Sequence, residues 1–445
     1  MAGEQRPLGA PADALPRVLG VGRFAMVLVA ITIGTAIFRV PSVVAANAGS
    51  TAIAIGVWVV GGVFAFAGGL AAAEVTVRYP RAGGEYALLR TMYGERTAFV
   101  YGWTWLLLVS PAAIAAVART FADYAGALIV LSEWERRLVT VVVIVAHAAL
   151  AMASTRIASR FVSGATMAKL LAMGAVALAA FTLSPVAPPA AAAPLPESAG
   201  SIGLIIAAMV AVIWAYDGTA QVTMAGDTAN PARTIPRGLI LAAAIVVAIY
   251  LTMVVSYQRP LGFQAMAASQ AVAADAMGAL VGPRGAALVA GLVMLSAYSC
   301  GMAQLVSHPR VTFALSADGM FFARFATLSA TGTPWVAVAL HAALASGLAL
   351  AGGYEFLFRL VVFAFYPLAA MVYIGAIILR RRDGPPTGFR MPFYPWPIVV
   401  YSLLLGLVLV VSLIEDPVAP LYSAAVLAAG WLVHRFVIRK GAVRP

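Results

Sequence analysis

Long apolar runs alternate with short polar connectors along the chain, and the runs set the architecture. Twelve stretches fall near residues 22–47, 51–77, 98–131, 137–154, 161–184, 201–226, 237–257, 286–315, 334–353, 356–379, 396–414 and 418–437. Each approaches or exceeds the roughly 20 residues that a helix needs to cross a hydrocarbon layer about 30 Å thick. The runs are continuous in Ala, Leu, Val and Gly. They lack the two-residue alternation of a lipid-facing barrel strand, so helices are the remaining way to satisfy the backbone in lipid. The expected fold is an all-α membrane protein of twelve transmembrane helices.

Composition supports lipid as the solvent. Of 445 residues, 62% are hydrophobic and 10% charged, and the mean hydropathy is +0.94, far from the balance of a water-soluble domain. Residues 1–21 carry Glu4, Arg6, Asp13, Arg17 and three prolines ahead of the first run, unlike a secretory leader, and read as a cytosolic tail. Residues 22–184 hold helices 1–5, a Pro/Ala-rich external linker spans 185–200, and residues 201–380 hold helices 6–10. Helices 11 and 12 follow within 381–437, with a second cytosolic tail over 438–445.

The net charge of +12 marks topology rather than nucleic-acid binding. If the amino terminus is cytosolic, 21 of the 29 Lys and Arg residues fall in inside segments, with only Arg136, Arg137, Arg259, Arg284 and Arg359 outside. This asymmetry predicts both termini in the cytosol. The single cysteine, Cys300, lies inside an apolar run; it excludes an internal disulfide, offers no metal cluster and reads as packing. Arginine almost replaces lysine, with only Lys169 and Lys440 present. Together with abundant alanine, this points to a GC-rich bacterial genome and hence an inner membrane.

Two runs carry matching interruptions. The first contains Ile33-Gly34-Thr35-Ala36-Ile37-Phe38 with Pro41 beyond, and the sixth contains Trp214-Ala215-Tyr216-Asp217-Gly218 followed by Gly226. Each opens a group of five runs, the arrangement of an inverted repeat with two helices appended. Unwound backbone at membrane depth is tolerable only where it lines a cavity. There, freed N–H groups suit an anion and freed carbonyls a cation, the two ends of a zwitterion. Close packing at a lone glycine is the competing account, and the paired placement argues against it.

At this point the residues resemble the amino acid–polyamine–organocation superfamily, and within it the L-type amino acid transporters and their bacterial relatives. Ile33–Pro41 is similar to the family's Gly-Ser-Gly-Ile-Phe…Pro break, and Tyr79–Tyr86 (YPRAGGEY) to its Pro…Gly-Gly…Tyr loop. Ala215–Pro236 resembles the Tyr-Asp-Gly-Trp helix and the Asn-Pro…Ile-Pro loop, with Thr219 in place of tryptophan. His308–Gly319 resembles the Pro-Arg-Val…Asp-Gly segment. The resemblance implies a leucine-transporter-type fold, a 5+5 inverted repeat with broken helices 1 and 6.

It also implies site roles. A substrate carboxylate would sit on amides near Gly34, Thr35 and Ala36, and an amino group on carbonyls of Thr32, Trp214 and Asp217. Ile37 and Ala215 complete the substrate-binding set. Ala36, where the family has glycine, adds a methyl group beside the carboxylate position. Trp214 would be an aromatic gate, the alternative being ordinary packing.

Intramembrane charges cost at least about 2.5 kcal/mol each, so each needs a partner or a task. The resemblance places Lys169 where sodium-driven relatives bind a cation, contacting first-helix carbonyls and Ser296, which implies sodium independence. Its alternatives are proton coupling and a permanently charged strut. Asp217 could receive a cationic side chain, cap a following half-helix or pair with a neighbouring arginine such as Arg39, which could instead pair with a substrate or snorkel outward. Arg119 and Asp123, four residues apart, predict a structural same-helix pair.

The expected function is sodium-independent amino acid transport by exchange or proton symport. A carrier of cationic amino acids or polyamines is the nearest alternative. A channel would need rings of charges or carbonyls. An enzyme is disfavoured by scattered histidines (His147, His308, His341, His434) and by the lack of a metal or nucleophile motif. No cofactor, metal, nucleic acid or obligatory protein partner is expected; the amino acid substrate, the bilayer and, in the symport case, protons are the expected partners.

Overall fold

The computed structural model describes residues 15–186, 195, 198–351, 354–415 and 418–438. Most of the tails and of the 185–200 linker lie outside these. The described residues form helices and turns, with one isolated bridge between Leu19 and Thr228. In chain order the α-helices are α1 (Val21–Thr32), α2 (Val40–Ala48), α3 (Thr51–Arg78), α4 (Glu85–Tyr93), α5 (Glu95–Thr104) and α6 (Ser110–Leu128). There follow α7 (Glu133–Ala153), α8 (Thr155–Thr182), α9 (Ile202–Tyr216), α10 (Pro231–Leu261), α11 (Phe263–Ala268) and α12 (Val272–Val281). The last six are α13 (Arg284–Ser307), α14 (Pro309–Ala317), α15 (Trp335–Ala351), α16 (Tyr354–Asp383), α17 (Trp396–Glu415) and α18 (Ala419–Val433).

Among the described residues, eight helical stretches are long and apolar enough to cross a membrane. They are α3, the continuous α5–α6, α7, α8, α10, the continuous α13–α14, α16 and α17. The apolar helices α1, α9, α12 and α15 are shorter. The helix ends lie within six residues of the apolar runs, apart from the sixth run, whose helix ends at Tyr216 rather than at 226, and the twelfth, whose α-helix gives way to a π-helical turn at His434–Ile438. The short helices α4, α11 and α12 were not anticipated, because they fall in connectors too brief or too polar to register as runs.

Small residues set how closely the helices approach, since lipid supplies no hydrophobic drive between them. On α3, a methyl group at Gly61 would meet the Tyr216 ring at 2.6 Å and one at Gly68 the Tyr401 ring at 2.4 Å. α3 thereby packs against both α9 and α17.

The two expected interruptions differ in form. α1 stops at Thr32, passes through a single 3-10 turn at Ala36–Phe38, and resumes as α2, with Pro41 in its first turn, where a missing N–H costs nothing. α9 stops at Tyr216 and does not resume as an α-helix: turns run from Asp217 to the start of α10 at Pro231. The expected continuation to residue 226 is therefore corrected. Gly218 takes φ +101, a conformation that favours glycine, and the Val222 N–H is taken by the Glu85 carboxylate at 3.0 Å rather than by a helical carbonyl. The reading of Asp217 as a cap for a following half-helix falls with it.

The connectors that carry the recognised motifs meet at one end of the bundle. Arg310, at the α13–α14 junction, is buried and bonds both carboxylate oxygens of buried Asp227, at 3.3 and 3.2 Å, and Thr155 Oγ1 at 2.9 Å. Its remaining nitrogen bonds the Val306 carbonyl. The Leu19 N–H donates to the Asp227 carbonyl at 2.9 Å, and Arg90 pairs with Asp318 at 2.7 Å. Arg380 grips buried Glu74 with two bonds of 2.6 and 2.5 Å. At the other end, Arg119 pairs with Asp123 at 2.9 Å as expected, and also with Glu133 at 2.6 Å across the α6–α7 turn.

Gly84 shows how tightly this end is closed: its φ is +44, and a methyl group there would stand 2.4 Å from the Val222 carbonyl. Gly84→Ala is expected to cost about 1–3 kcal/mol and to lower the melting temperature in detergent. Gly56→Ala, on α3 with nothing within 4 Å of the added methyl, is the control and should leave the melting temperature unchanged or raised.

Candidate functional site

The ends of the two interrupted helices touch. A methyl group at Gly218 would lie 3.1 Å from Ile31 Cγ2 and Thr32 Oγ1. Beside this contact α1, α9, α6 and α13 enclose a cavity of about 100 Å³, lined by Ile31, Thr32, Gly34, Thr35 and Ala36 from the first interruption and by Trp214, Asp217 and Gln221 from the second. Trp105, Phe365, Cys300, Gln304 and His308 complete the polar and aromatic wall. One water needs roughly 10–15 Å³ on this scale, so the space admits a small solute.

Backbone groups freed at the first interruption are held from three helices. Lys169, fully buried on α8, bonds the Ile33 carbonyl at 2.5 Å and the Ala30 carbonyl at 3.4 Å. Ser296 Oγ on α13 lies 3.0 Å from the Ile33 carbonyl and 2.6 Å from that of Gly34. Cys300 Sγ reaches the Ile31 carbonyl at 3.2 Å. A helix carboxyl end carries partial negative charge, so the ammonium complements the end of α1. Tyr250 Oη on α10 lies 3.0 Å from the Thr32 carbonyl and 2.9 Å from that of Ala215, joining the two interrupted helices.

The N–H groups of Thr35, Ala36 and Ile37 have no backbone acceptor among the described residues. They point to an anion at this edge of the cavity. The Thr32 carbonyl accepts the Gly34 N–H at 2.9 Å and shares the Tyr250 hydroxyl with the Ala215 carbonyl. The Trp214 carbonyl accepts the Asp217 N–H at 3.1 Å.

Of the expected site residues, Thr32, Gly34, Thr35, Ala36, Trp214 and Asp217 line the cavity. Ile37 and Ala215 are buried behind it. Lys169 and Ser296 sit on the carbonyl side of the first interruption. Arg39 is exposed and makes no ion pair with Asp217 among the described residues. Trp214 is half-buried, its ring 6.4 Å from that of Tyr366. No cluster of three metal-ligating side chains occurs among the described residues.

Tyr250 and Gln304 are not singled out in the sequence, and Cys300 and His308 are read there without a place at the cavity. Tyr250 carries no signal, being one tyrosine in an apolar run. Cys300, Gln304 and His308 follow a spacing of four and so share one helix face; Cys300 is thus cavity wall as well as packing. The histidines are less scattered than the chain order implies. His308 Nδ1 lies 3.1 Å from Ser110 Oγ, which lies 2.7 Å from His341 Nδ1, and His341 Nε2 lies 2.8 Å from Thr312 Oγ1.

The sequence pattern of the amino acid permease family matches residues 20–437, from the start of the first interrupted helix to the end of the described chain. The chain belongs to the amino acid permease family. The permease is similar to the serine/threonine exchanger SteT of Bacillus subtilis, at 26% identity over 388 residues, 84% of this chain and 86% of the exchanger. It is also similar to the human large neutral amino acids transporter small subunit 2, at 26% identity over 95% of this chain and 80% of that protein. The human b(0,+)-type amino acid transporter 1 is 25% identical over 82% of this chain and 76% of its own length. These relatives are transporters rather than enzymes, and the permease is a multi-pass membrane protein.

In this permease Glu85 joins the motif loop after α3 to the unwound segment after α9. It is buried; one carboxylate oxygen accepts the Val222 N–H at 3.0 Å and the other has no partner among the described residues. Burial pushes its carboxyl group up to about 7. A raised carboxyl value means that folding takes up a proton, so stability falls as pH climbs from the ordinary carboxylate range through about 7. Wild-type melting temperature in detergent should therefore drop more between pH 5 and pH 8 than that of Glu85→Gln, which keeps the acceptor for Val222 and cannot ionise. Equal drops would contradict this account.

Proposed function

We propose that this permease moves amino acids across a plasma membrane without sodium, by exchange or proton symport, through alternating access to the cavity between the two interrupted helices. The supporting observation is the pairing of unpartnered N–H groups at Thr35–Ile37 with Asp217, the acidic residue of the cavity wall. Amides receive the substrate carboxylate. Asp217, through its carbonyl or carboxylate, receives the ammonium group, and Trp214 closes over it. The architecture proposed for this cycle is twelve spans, two inverted sets of five plus two, with α1–α2 as the first and α9 opening the second set.

On this proposal both termini are cytosolic, the membrane is a bacterial inner membrane, and a single chain suffices. The named substrates of the relatives, serine and threonine for one and large neutral amino acids for another, support an amino acid cargo. A carrier of cationic amino acids or polyamines is the second reading, favoured by the position of Asp217 at the cavity.

Lys169 supports sodium independence. Its ammonium occupies the carbonyls at the end of α1, the groups a metal cation would otherwise claim. The test is uptake of labelled alanine, leucine, arginine and putrescine by the purified chain in proteoliposomes, varying internal substrate, sodium and pH one at a time. Lys169→Ala removes bonds from a charged group worth about 1.5–3 kcal/mol, so uptake should fall about tenfold or more. A variant with wild-type rate and unchanged ion dependence would refute the assigned role.

A further inference from the structure

Three buried polar atoms on the cavity wall have no partner among the described residues: Gln221 Oε1, Gln304 Oε1 and His308 Nε2. They come from two sides of the space, Gln221 from the unwound segment after α9 and the other two from successive turns of one face of the continuous α13–α14, His308 standing at the junction. Gln304 and His308 are 7% and 2% exposed. The Gln304 amide nitrogen is directed at Cys300 Sγ, 3.7 Å away, which leaves its oxygen as the unpaired end of the amide. Polar atoms buried without partners are costly and rare in native interiors, and three around one space describe a place where hydrogen-bonding groups belong.

The chemistry of that group follows from the wall. The two glutamine oxygens are acceptors, so the visitor must donate. His308 is adaptable, because its Nδ1 faces Ser110 Oγ, which also faces His341. If the Ser110 hydroxyl donates to His341, His308 carries its proton on Nδ1 and offers a lone pair at Nε2. If it donates to His308, the Nε2 carries the proton. The wall thus offers two acceptors and one group that serves as either. An aliphatic side chain would leave all three unpaired, and a carboxylate would bring further acceptors against the glutamine oxygens. A hydroxyl or a carboxamide donates and accepts at once. The cavity, of about 100 Å³ where one water takes roughly 10–15 Å³, holds the zwitterion as well, which favours a compact side chain.

Resting on the amino acid transport proposed above, we infer that Gln221, Gln304 and His308 form a side-chain subsite selecting small neutral amino acids with a hydroxyl or carboxamide group over their apolar isosteres. The subsite lies beyond the main-chain groups that hold the zwitterion, so it decides which amino acid is carried and not whether one is.

The experiment uses the purified full chain in liposomes and follows uptake of two near-isosteric pairs of labelled amino acids, threonine with valine and asparagine with leucine. Wild type should favour the polar member of each pair by about tenfold or more, because the apolar member leaves buried groups unsatisfied. Gln304→Met and Gln221→Met keep side-chain length without the amide and should each lower both ratios by about fivefold or more. Ratios near one in wild type would overturn the subsite, as would ratios that the methionine variants leave unchanged; in both cases water alone satisfies these atoms. The wild-type ratios stand as a test even if a variant fails to fold. Wild type that carries none of the four, nor alanine or arginine, would instead overturn the transport proposal itself.

Discussion

The molecule depends on what happens to main-chain groups when a helix stops inside a membrane. Lipid cannot hydrogen-bond the carbonyls freed at the end of α1, so side chains from other helices must. Lys169 from α8, Ser296 and Cys300 from α13 and Tyr250 from α10 do this. Each bond is also a constraint on helix position, because a polar group that leaves its carbonyl finds no water to replace it. The first interruption is thus a point at which three helices, α8, α10 and α13, are fixed to the end of α1. The cavity is what remains on its other side, where the N–H groups are left open.

One end of the bundle is held by a different kind of interaction. The sequence motifs outside the spans converge there on Arg310, Asp227, Glu85 and the backbone around Gly84 and Gly226. A methyl group at Gly226 would stand 2.5 Å from the Ala82 nitrogen, so backbone packs directly on backbone. A buried pair such as Arg310–Asp227 gains little net stability, but breaking it by removing one partner costs about 3–5 kcal/mol. The pair therefore holds the α13–α14 junction to the segment after α9 only while both partners are present.

Much of this was legible in the sequence, for identifiable reasons. Apolar runs long enough to span lipid announce themselves by length, and the first interruption by Gly34 and Pro41. Lys169 stood out because lysine is otherwise confined to the tail. The failures are equally physical. The unwinding after Tyr216 was expected to end in a second half-helix, and it does not, because Glu85 from a distant connector takes the Val222 N–H. Tyr250 and Gln304 are silent in the sequence, and His308 reads there only as the start of a motif, because a polar residue in an apolar run is informative only once its neighbours in space are known. His308 and His341 are 33 positions apart in the chain and one serine hydroxyl apart in the fold.

Tyr250 carries a further implication. A phenol has one proton, yet two carbonyls, one from each interrupted helix, stand at equal reach of it. Only one of them is served at any instant, and the loss of either leaves the other fully bonded. The hydroxyl therefore satisfies α1 and α9 by turns rather than tying them together: if one carbonyl moves out of reach, the proton passes to the other and no hydrogen bond is lost.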